Sequence, residues 1–98
     1  MRIRILDLAE RDLLEGYGFY DAQDSGLGDY FLDTLFSDID ALKIFAGIHR
    51  QVYGHYRLLS GRFPYAVYYT IDEDLVSVWR VLDLRRDPEW IARQLTGE

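Results

Sequence analysis

The sequence predicts an α+β fold, in which two helices precede an antiparallel sheet and a short helix ends the chain. Apolar residues recur at helical spacing in the first half of the chain, and they alternate with polar residues after Ala46-Gly47. The chain has 98 residues, of which 49% are hydrophobic, which suits one small domain with one core. We therefore predict a single domain over residues 1–98 with the element order β-α-α-β-β-β and a last helix.

The N-terminal segment predicts a strand followed by a helix. Arg2–Ile5 alternates polar and apolar residues, which is the period of a half-buried strand. Asp7 opens the helix, because Glu10 three residues later gives the pattern of a capping box. The helical spacing continues through Leu13, Tyr17 and Tyr20. Gly16 and Gly18 weaken this helix by roughly 1 kcal/mol each relative to alanine.

A second helix follows a glycine-containing connector at residues 24–28. Its apolar stripe consists of Phe31, Leu35, Ile39 and Leu42. The aspartates that lie mostly off the stripe are Asp29, Asp33, Asp38 and Asp40. This pattern predicts an amphipathic helix whose acidic side faces solvent.

Three strands are predicted in the second half of the chain, over residues 56–59, 64–71 and 75–84. One face of the second strand carries Tyr65, Val67, Tyr69 and Ile71. One face of the third carries Val76, Val78, Arg80, Leu82 and Leu84, and the other carries Leu75, Ser77, Trp79, Val81 and Asp83. An acidic turn at residues 72–74 joins these two strands, and such short connections favour an antiparallel meander.

A last helix is predicted after Asp87-Pro88. Aspartate accepts hydrogen bonds from the free N–H groups at a helix start, and proline suits the first helical position. Trp90, Ile91 and Leu95 would anchor this helix.

Charge is distributed unevenly along the chain. The net charge is −6, and residues 1–47 hold four basic and ten acidic residues, whereas residues 48–98 hold seven of each. All seven cations of the second part are arginines, whose planar fork binds phosphate or carboxylate at two points. The arginines predict anion recognition or partner docking, and solvated strand and helix faces explain them equally well. For Arg85 and Arg86, structural pairing with nearby carboxylates such as Asp83 or Asp87 is as open as anion recognition.

Several classes of protein are disfavoured by the composition. There is no cysteine, the N-terminus lacks the apolar core of a signal peptide, and no window has the roughly 20 apolar residues of a membrane span. We expect a cytoplasmic protein. The two histidines, His49 and His55, lack metal-binding spacing, and no nucleophile motif or phosphate-binding glycine loop is present. We expect no metal and no cofactor.

Ribonuclease chemistry is the catalytic hypothesis that the residues support best. Attack by a 2′-hydroxyl needs a base, an acid and cations around the phosphate. The cations are available as Arg57, Arg62, Arg80, Arg85 and Arg86. The only candidate bases near the sheet are His55 and Asp83, and an aspartate needs a pKa raised well above about 4 to act near neutrality. The acidity of the chain opposes tight binding of nucleic acid, which depends on phosphate neutralisation.

Three segments, in their order and spacing, resemble the RelE/ParE superfamily of toxins from bacterial type II toxin–antitoxin pairs, often labelled plasmid stabilisation proteins. They are DLAERDLLEGYGFYDAQDSGLGDYFLDTL, the run RFPYAVYY at residues 62–69, and VLDLRRDPEW at residues 81–90. The resemblance covers nearly the whole chain. It implies a strand, two helices and a strand meander, and a cognate antitoxin as partner, in a homodimer or a heterotetramer with that antitoxin.

Two activities occur in the superfamily, and the resemblance implies different roles for the residues in each. RelE-like members cut mRNA in the ribosome, and ParE-like members poison DNA gyrase. In a RelE-like enzyme, Arg62 would be a cation at the scissile phosphate, with Asp83 and Arg85 as further catalytic residues. Asp83 stands where many relatives, ParE-like ones included, carry a histidine, and where some ribonucleases have their acid–base histidine.

The missing histidine and the absence of a lysine-rich cleft favour the ParE-like hypothesis. Arg57, Arg80 and Arg86 are then the arginines that we expect to bind a partner or target. Three hypotheses remain: a toxin that binds DNA gyrase, a ribosome-dependent mRNA endonuclease, and a non-toxic member kept as an interaction module.

Overall fold

The computed structural model describes residues 1–97, which form five strands and four helices. The strands are β1 (Arg2–Ile5), β2 (Gln51–Val52), β3 (His55–Leu59), β4 (Tyr65–Asp72) and β5 (Leu75–Asp83). The helices are α1 (Asp7–Gln23), α2 (Leu27–Asp40), α3 (Leu42–Phe45) and α4 (Pro88–Thr96). The predicted α+β class is confirmed, and the three predicted strands lie within a residue of their expected bounds. None of the helices in this range is both long and apolar enough to cross a membrane.

All five strands belong to one sheet with the order β1-β5-β4-β3-β2. The predicted meander of three antiparallel strands is confirmed as β3, β4 and β5. The short strand β2 was not predicted, and it extends the meander by pairing with β3. β1 joins β5 in parallel at the other edge, as the long stretch of chain between them permits, so the sheet is antiparallel except at this edge.

The main core lies between the sheet and the pair α1–α2. The predicted stripes meet there, since Leu13 of α1 and Phe31 and Leu35 of α2 are buried against Val67 and Tyr69 of β4. The opposite face of the sheet carries a smaller cluster under α4, made of Ala66, Tyr68, Leu82 and Ile91. The sheet therefore has apolar residues on both faces but is covered by helices of very different size.

A bulge at Trp79 interrupts the alternation of β5. Tyr69 pairs with Val78 and Tyr68 with Arg80, which leaves Trp79 without a partner in the ladder. An extra residue in one strand reverses the faces that follow it. The predicted strict alternation is therefore wrong beyond Val78, and Val81 packs in the main core with Val78.

The two helix starts that the sequence predicts have different outcomes. Asp87 accepts a hydrogen bond from the Glu89 N–H at 3.1 Å and precedes Pro88, so this predicted cap is confirmed. The predicted capping box at Asp7 is wrong, because Leu6 occupies the N-cap and accepts from the Glu10 N–H through its backbone. Extended backbone at Leu6 starts the helix one residue early and places Asp7 inside its first turn.

Candidate functional site

The ends of β4 and β5 form a cleft with α1 and α4, here named the α1–α4 cleft, of about 330 Å³. It is lined by Asp12, Glu15, Gly16, Phe19, Tyr65, Val81, Leu82, Asp83, Arg86 and Trp90. The segment VLDLRRDPEW supplies five of these residues, because it leaves the sheet at Asp83 and begins helix α4 at Pro88. Three of the six predicted site residues, Asp83, Arg85 and Arg86, lie at this end of the sheet.

Asp83 and Arg85 form a closed pair at the end of β5. The Arg85 Nε and Nη2 donate to the two carboxylate oxygens of Asp83 at 3.0 and 2.8 Å, and the Arg85 backbone N–H donates at 2.9 Å. Burial alone would raise the pKa of Asp83, but these hydrogen bonds and the charges of Arg85 and Arg86 hold it below its ordinary value. The carboxylate is therefore ionised at neutral pH and weakly basic.

Two tyrosines beside this pair were not predicted as site residues. The Tyr20 hydroxyl accepts from Arg85 Nη2 at 3.4 Å, and Tyr65 pairs with Asp83 in the β4–β5 ladder. Burial and the Asp83 charge raise the pKa of Tyr65 to about 12, so its phenol remains protonated near neutrality. The Tyr20 ring packs against Phe31 and Phe63, and the Tyr65 ring packs against Phe31. The two aromatic residues that flank Pro64, Phe63 and Tyr65, were the sequence signal for this cluster.

Arg80 is held inside the protein by two elements. Its Nε and Nη2 donate to Asp12 of α1 at 2.7 and 2.9 Å, and its Nη1 donates to Gln94 of α4 at 2.8 Å. Asp12 also accepts the Val81 N–H at 2.9 Å, at a point of β5 that β1 does not reach. Asp12 was not predicted as a site residue, although it directly precedes the buried Leu13 on the inner side of α1.

Arg86 and Arg62 lie in separate environments. The Arg86 guanidinium stacks on the Trp90 ring at 3.8 Å, which is a cation–π contact across the first turn of α4. Arg62 precedes β4, and its Nη1 donates to the Tyr30 hydroxyl of α2 at 2.8 Å. Arg62 is thus directed toward α2, whereas Arg85 binds Asp83, which lines the α1–α4 cleft.

Arg57 lies on the opposite face of the sheet. It pairs with Tyr68, which belongs to the small cluster under α4. The structure therefore divides the six predicted residues among three places. Arg80, Asp83, Arg85 and Arg86 are near the α1–α4 cleft, Arg62 is beside α2, and Arg57 is behind the sheet.

The histidines are also separated in the fold. His49 contacts the Tyr69 hydroxyl through Nδ1, and His55 contacts the Tyr53 carbonyl. Burial lowers the pKa of His49. Within residues 1–97, no group of three or more His, Cys, Asp or Glu residues is arranged to hold a metal ion.

One family model matches most of the chain, and a solved structure shares its fold. A sequence model described as "ParE toxin of type II toxin-antitoxin system, parDE" matches residues 3–88. Among solved structures, a chain of the "Chromosomal ParDE TA system from P. aeruginosa" matches with a TM-score of 0.79 at 18% identity. The match covers 86% of this chain and 96% of that chain, and at this identity it shows a shared fold. No curated protein matches the sequence.

Proposed function

Because this chain belongs to the ParE toxin family of type II toxin–antitoxin systems, we propose that it acts by binding DNA gyrase and is neutralised by a cognate antitoxin. The family gives the toxin class, and the target is our inference. The observation that carries it is the state of Asp83, which occupies the position of the acid–base histidine in some ribonuclease relatives.

Asp83 is poorly suited to proton transfer near neutrality. Its pKa is below the ordinary value because Arg85 donates three hydrogen bonds to it. General catalysis is most efficient when the pKa of the catalytic group lies near the working pH. A carboxylate that is already ionised and paired neither removes a proton efficiently nor donates one.

The cations also lack the arrangement that phosphate cleavage requires. Stabilising the transition state needs donors converging on one phosphate. Arg62 contacts Tyr30 beside α2, Arg85 is bound to Asp83, and Arg80 is bound to Asp12. These arginines point to different groups, which favours target binding over RNA cleavage.

An antitoxin partner is supported by the apolar outer surface of the helices. A groove of about 270 Å³ lies between α1 and α2, and its apolar lining consists of Ile5, Leu13, Leu14, Leu32 and Phe36. Leu14 is 66% exposed and Phe36 is 45% exposed. Exposed apolar side chains in a continuous groove are typical of protein-binding surfaces.

The test is to induce the chain in a bacterial host without any antitoxin. We expect growth arrest, an SOS response and DNA breaks that depend on gyrase, together with inhibition of purified gyrase. In the same cultures, ribosome-bound mRNA should remain intact by primer extension. Cleavage of that mRNA, lost in Arg62→Ala, would instead identify a ribonuclease, and unimpaired growth at full protein level would identify a non-toxic member.

A further inference from the structure

A second cavity lies on the face of the sheet that α4 packs against, opposite the groove between α1 and α2. It has a volume of about 290 Å³ and is lined by Val52, Tyr53, Arg57, Tyr68, Leu84, Pro88 and Ile91. We name it the β3–α4 pocket. Its walls come from the β2–β3 hairpin, the middle of β4 and the start of α4, so three separate parts of the chain meet around it.

Arg57 is the one charged side chain among the described residues that line this pocket. Its Nε has less than 1 Å² of exposed surface and donates no hydrogen bond to residues 1–97. Arg80 and Arg85, by contrast, form ion pairs with Asp12 and Asp83. A buried, unsatisfied N–H of a charged group costs free energy that an incoming acceptor would recover.

The neighbours of Arg57 supply a second polar group and an apolar wall. Burial raises the pKa of Tyr68, and the charge of Arg57 and its side-chain hydrogen bond with the phenol oppose this, so the phenol stays protonated and able to donate a hydrogen bond. Leu84, Pro88 and Ile91 form the apolar side. A ligand that fits therefore has one acceptor group next to an apolar group.

Tyr53 lies in the turn at the rim of the pocket. It is 54% exposed and has a φ of 51°, at a hairpin position where asparagine or glycine is usual. A bulky residue in the left-handed region is uncommon, and such positions concentrate at binding and active sites. The hairpin places an exposed aromatic ring at the rim of the pocket that the Arg57 side chain lines.

We propose that the β3–α4 pocket binds one carboxylate of a partner protein, an aspartate or glutamate side chain with a large apolar neighbour. One guanidinium balances one carboxylate, whereas the net charge of −6 and the single cation disfavour a nucleic acid backbone. The proposal holds whether or not DNA gyrase is the target of the toxin. Its position on the opposite face of the sheet leaves the groove between α1 and α2 free.

The experiment uses the full chain labelled with ¹⁵N and the probe N-acetyl-leucine, which joins a carboxylate to an apolar side chain. We expect saturable shifts of the Arg57 Nε–H signal and of the amides of Val52, Tyr53 and Tyr68. N-acetyl-leucinamide keeps the apolar group but lacks the carboxylate, and it should bind at least about tenfold more weakly, as loss of a charge-assisted hydrogen bond implies.

The matched variants are Arg57→Gln and Arg2→Gln. Both remove one arginine from the same face of the sheet, but Arg2 is 73% exposed and lies outside the pocket. Arg57→Gln should lose the shifts caused by N-acetyl-leucine, and Arg2→Gln should keep them.

Three outcomes would overturn the proposal: equal binding of N-acetyl-leucinamide, no shift of the Arg57 Nε–H signal, or tighter binding of uridine 5′-monophosphate than of N-acetyl-leucine. The wild-type Nε–H signal decides even if Arg57→Gln does not fold.

Discussion

At the scale of single residues, the state of Asp83 is set by its immediate contacts. Its side chain is 21% exposed and that of Arg85 is 51% exposed, so water screens the pair only in part. The three hydrogen bonds from Arg85 favour the ionised carboxylate, whereas burial opposes it. The lowered pKa therefore makes this pair a source of stability that depends on pH.

Asp83→Asn should lower the free energy of unfolding by about 1 kcal/mol at pH 7, because the amide cannot replace an ionised acceptor. Since the pKa of Asp83 is lower in the folded protein, the stabilisation is present above the unfolded value of about 4 and is lost as pH falls through the folded value. Urea denaturation from pH 7 to pH 3 measures this. The exposed Asp33→Asn is the control, and a deficit in Asp83→Asn that persists unchanged at pH 3 would contradict the mechanism.

Residue identities were more predictable from the sequence than residue partners. The sequence pointed to Arg80, Arg85 and Arg86 from composition and position. Pairing of Arg85 with Asp83, two residues away, was one of the two roles that the sequence left open for Arg85. The sequence could not show that Arg80 meets Asp12, 68 residues away. Side-chain pairing across such separations depends on how α1 is placed against β5, which no local pattern encodes.

At the scale of elements, the glycines of α1 have different roles. A Cβ atom at Gly16 would lie 2.5 Å from the Phe31 ring, whereas a Cβ atom at Gly18 would meet nothing within 4 Å. The sequence predicted only the helix-weakening effect of both residues. The structure shows that Gly16 also allows α2 to pack closely on α1.

Gly18→Ala should therefore stabilise the protein by up to about 1 kcal/mol through helix propensity. Gly16→Ala gains the same propensity but forces the new methyl group into Phe31, and overpacking costs about 1–3 kcal/mol. The two single variants have the same chemistry on the same helix, so each is a control for the other. Thermal and urea denaturation should rank Gly18→Ala above the parent and Gly16→Ala below it. Equal stability of the two variants would refute the packing role of Gly16.

The element order follows from periodicity, and its irregularities do not. Alternation and turn chemistry gave β3, β4, β5 and α4, and the stripe gave α2. The bulge at Trp79 was not predicted, because the alternation of β5 looks regular in sequence. The parallel pairing of β1 was not predicted either, because a strand of four residues carries no signal for its direction. Both features depend on which strand lies beside which in the assembled sheet.

At the scale of the whole molecule, the sheet carries different partners on its two faces. One face of the sheet packs against α1 and α2 in the main core. On the opposite face, α4 covers only the part that holds the small cluster. Arg80 connects these layers, since it binds Asp12 of α1 and Gln94 of α4 from β5. Because three elements share this contact, its loss should destabilise all three together rather than one segment alone.

Asp12→Ala should be severely destabilising because it leaves Arg80 buried without its carboxylate and the Val81 N–H without its acceptor. The side chains of Arg80 and Asp12 are only 13% and 10% exposed, and breaking a buried pair from one side costs about 3–5 kcal/mol. The matched control is Asp74→Ala, which breaks the exposed pair with Arg2 and should cost less than about 1 kcal/mol.

Urea denaturation followed by circular dichroism and by tryptophan fluorescence measures both variants, since the first reports mainly on the helices and the second on Trp79 and Trp90. Both signals should shift together in Asp12→Ala, because Arg80 joins α1, β5 and α4. Separate transitions would show that the helices do not unfold together with the β5–α4 region that carries the two tryptophans. A loss in Asp12→Ala no larger than in Asp74→Ala would show that the Arg80 contact is replaceable. The burial of Arg80 and its three hydrogen bonds to Asp12 and Gln94 argue against that outcome, as does the hydrogen bond that Asp12 accepts from the Val81 N–H.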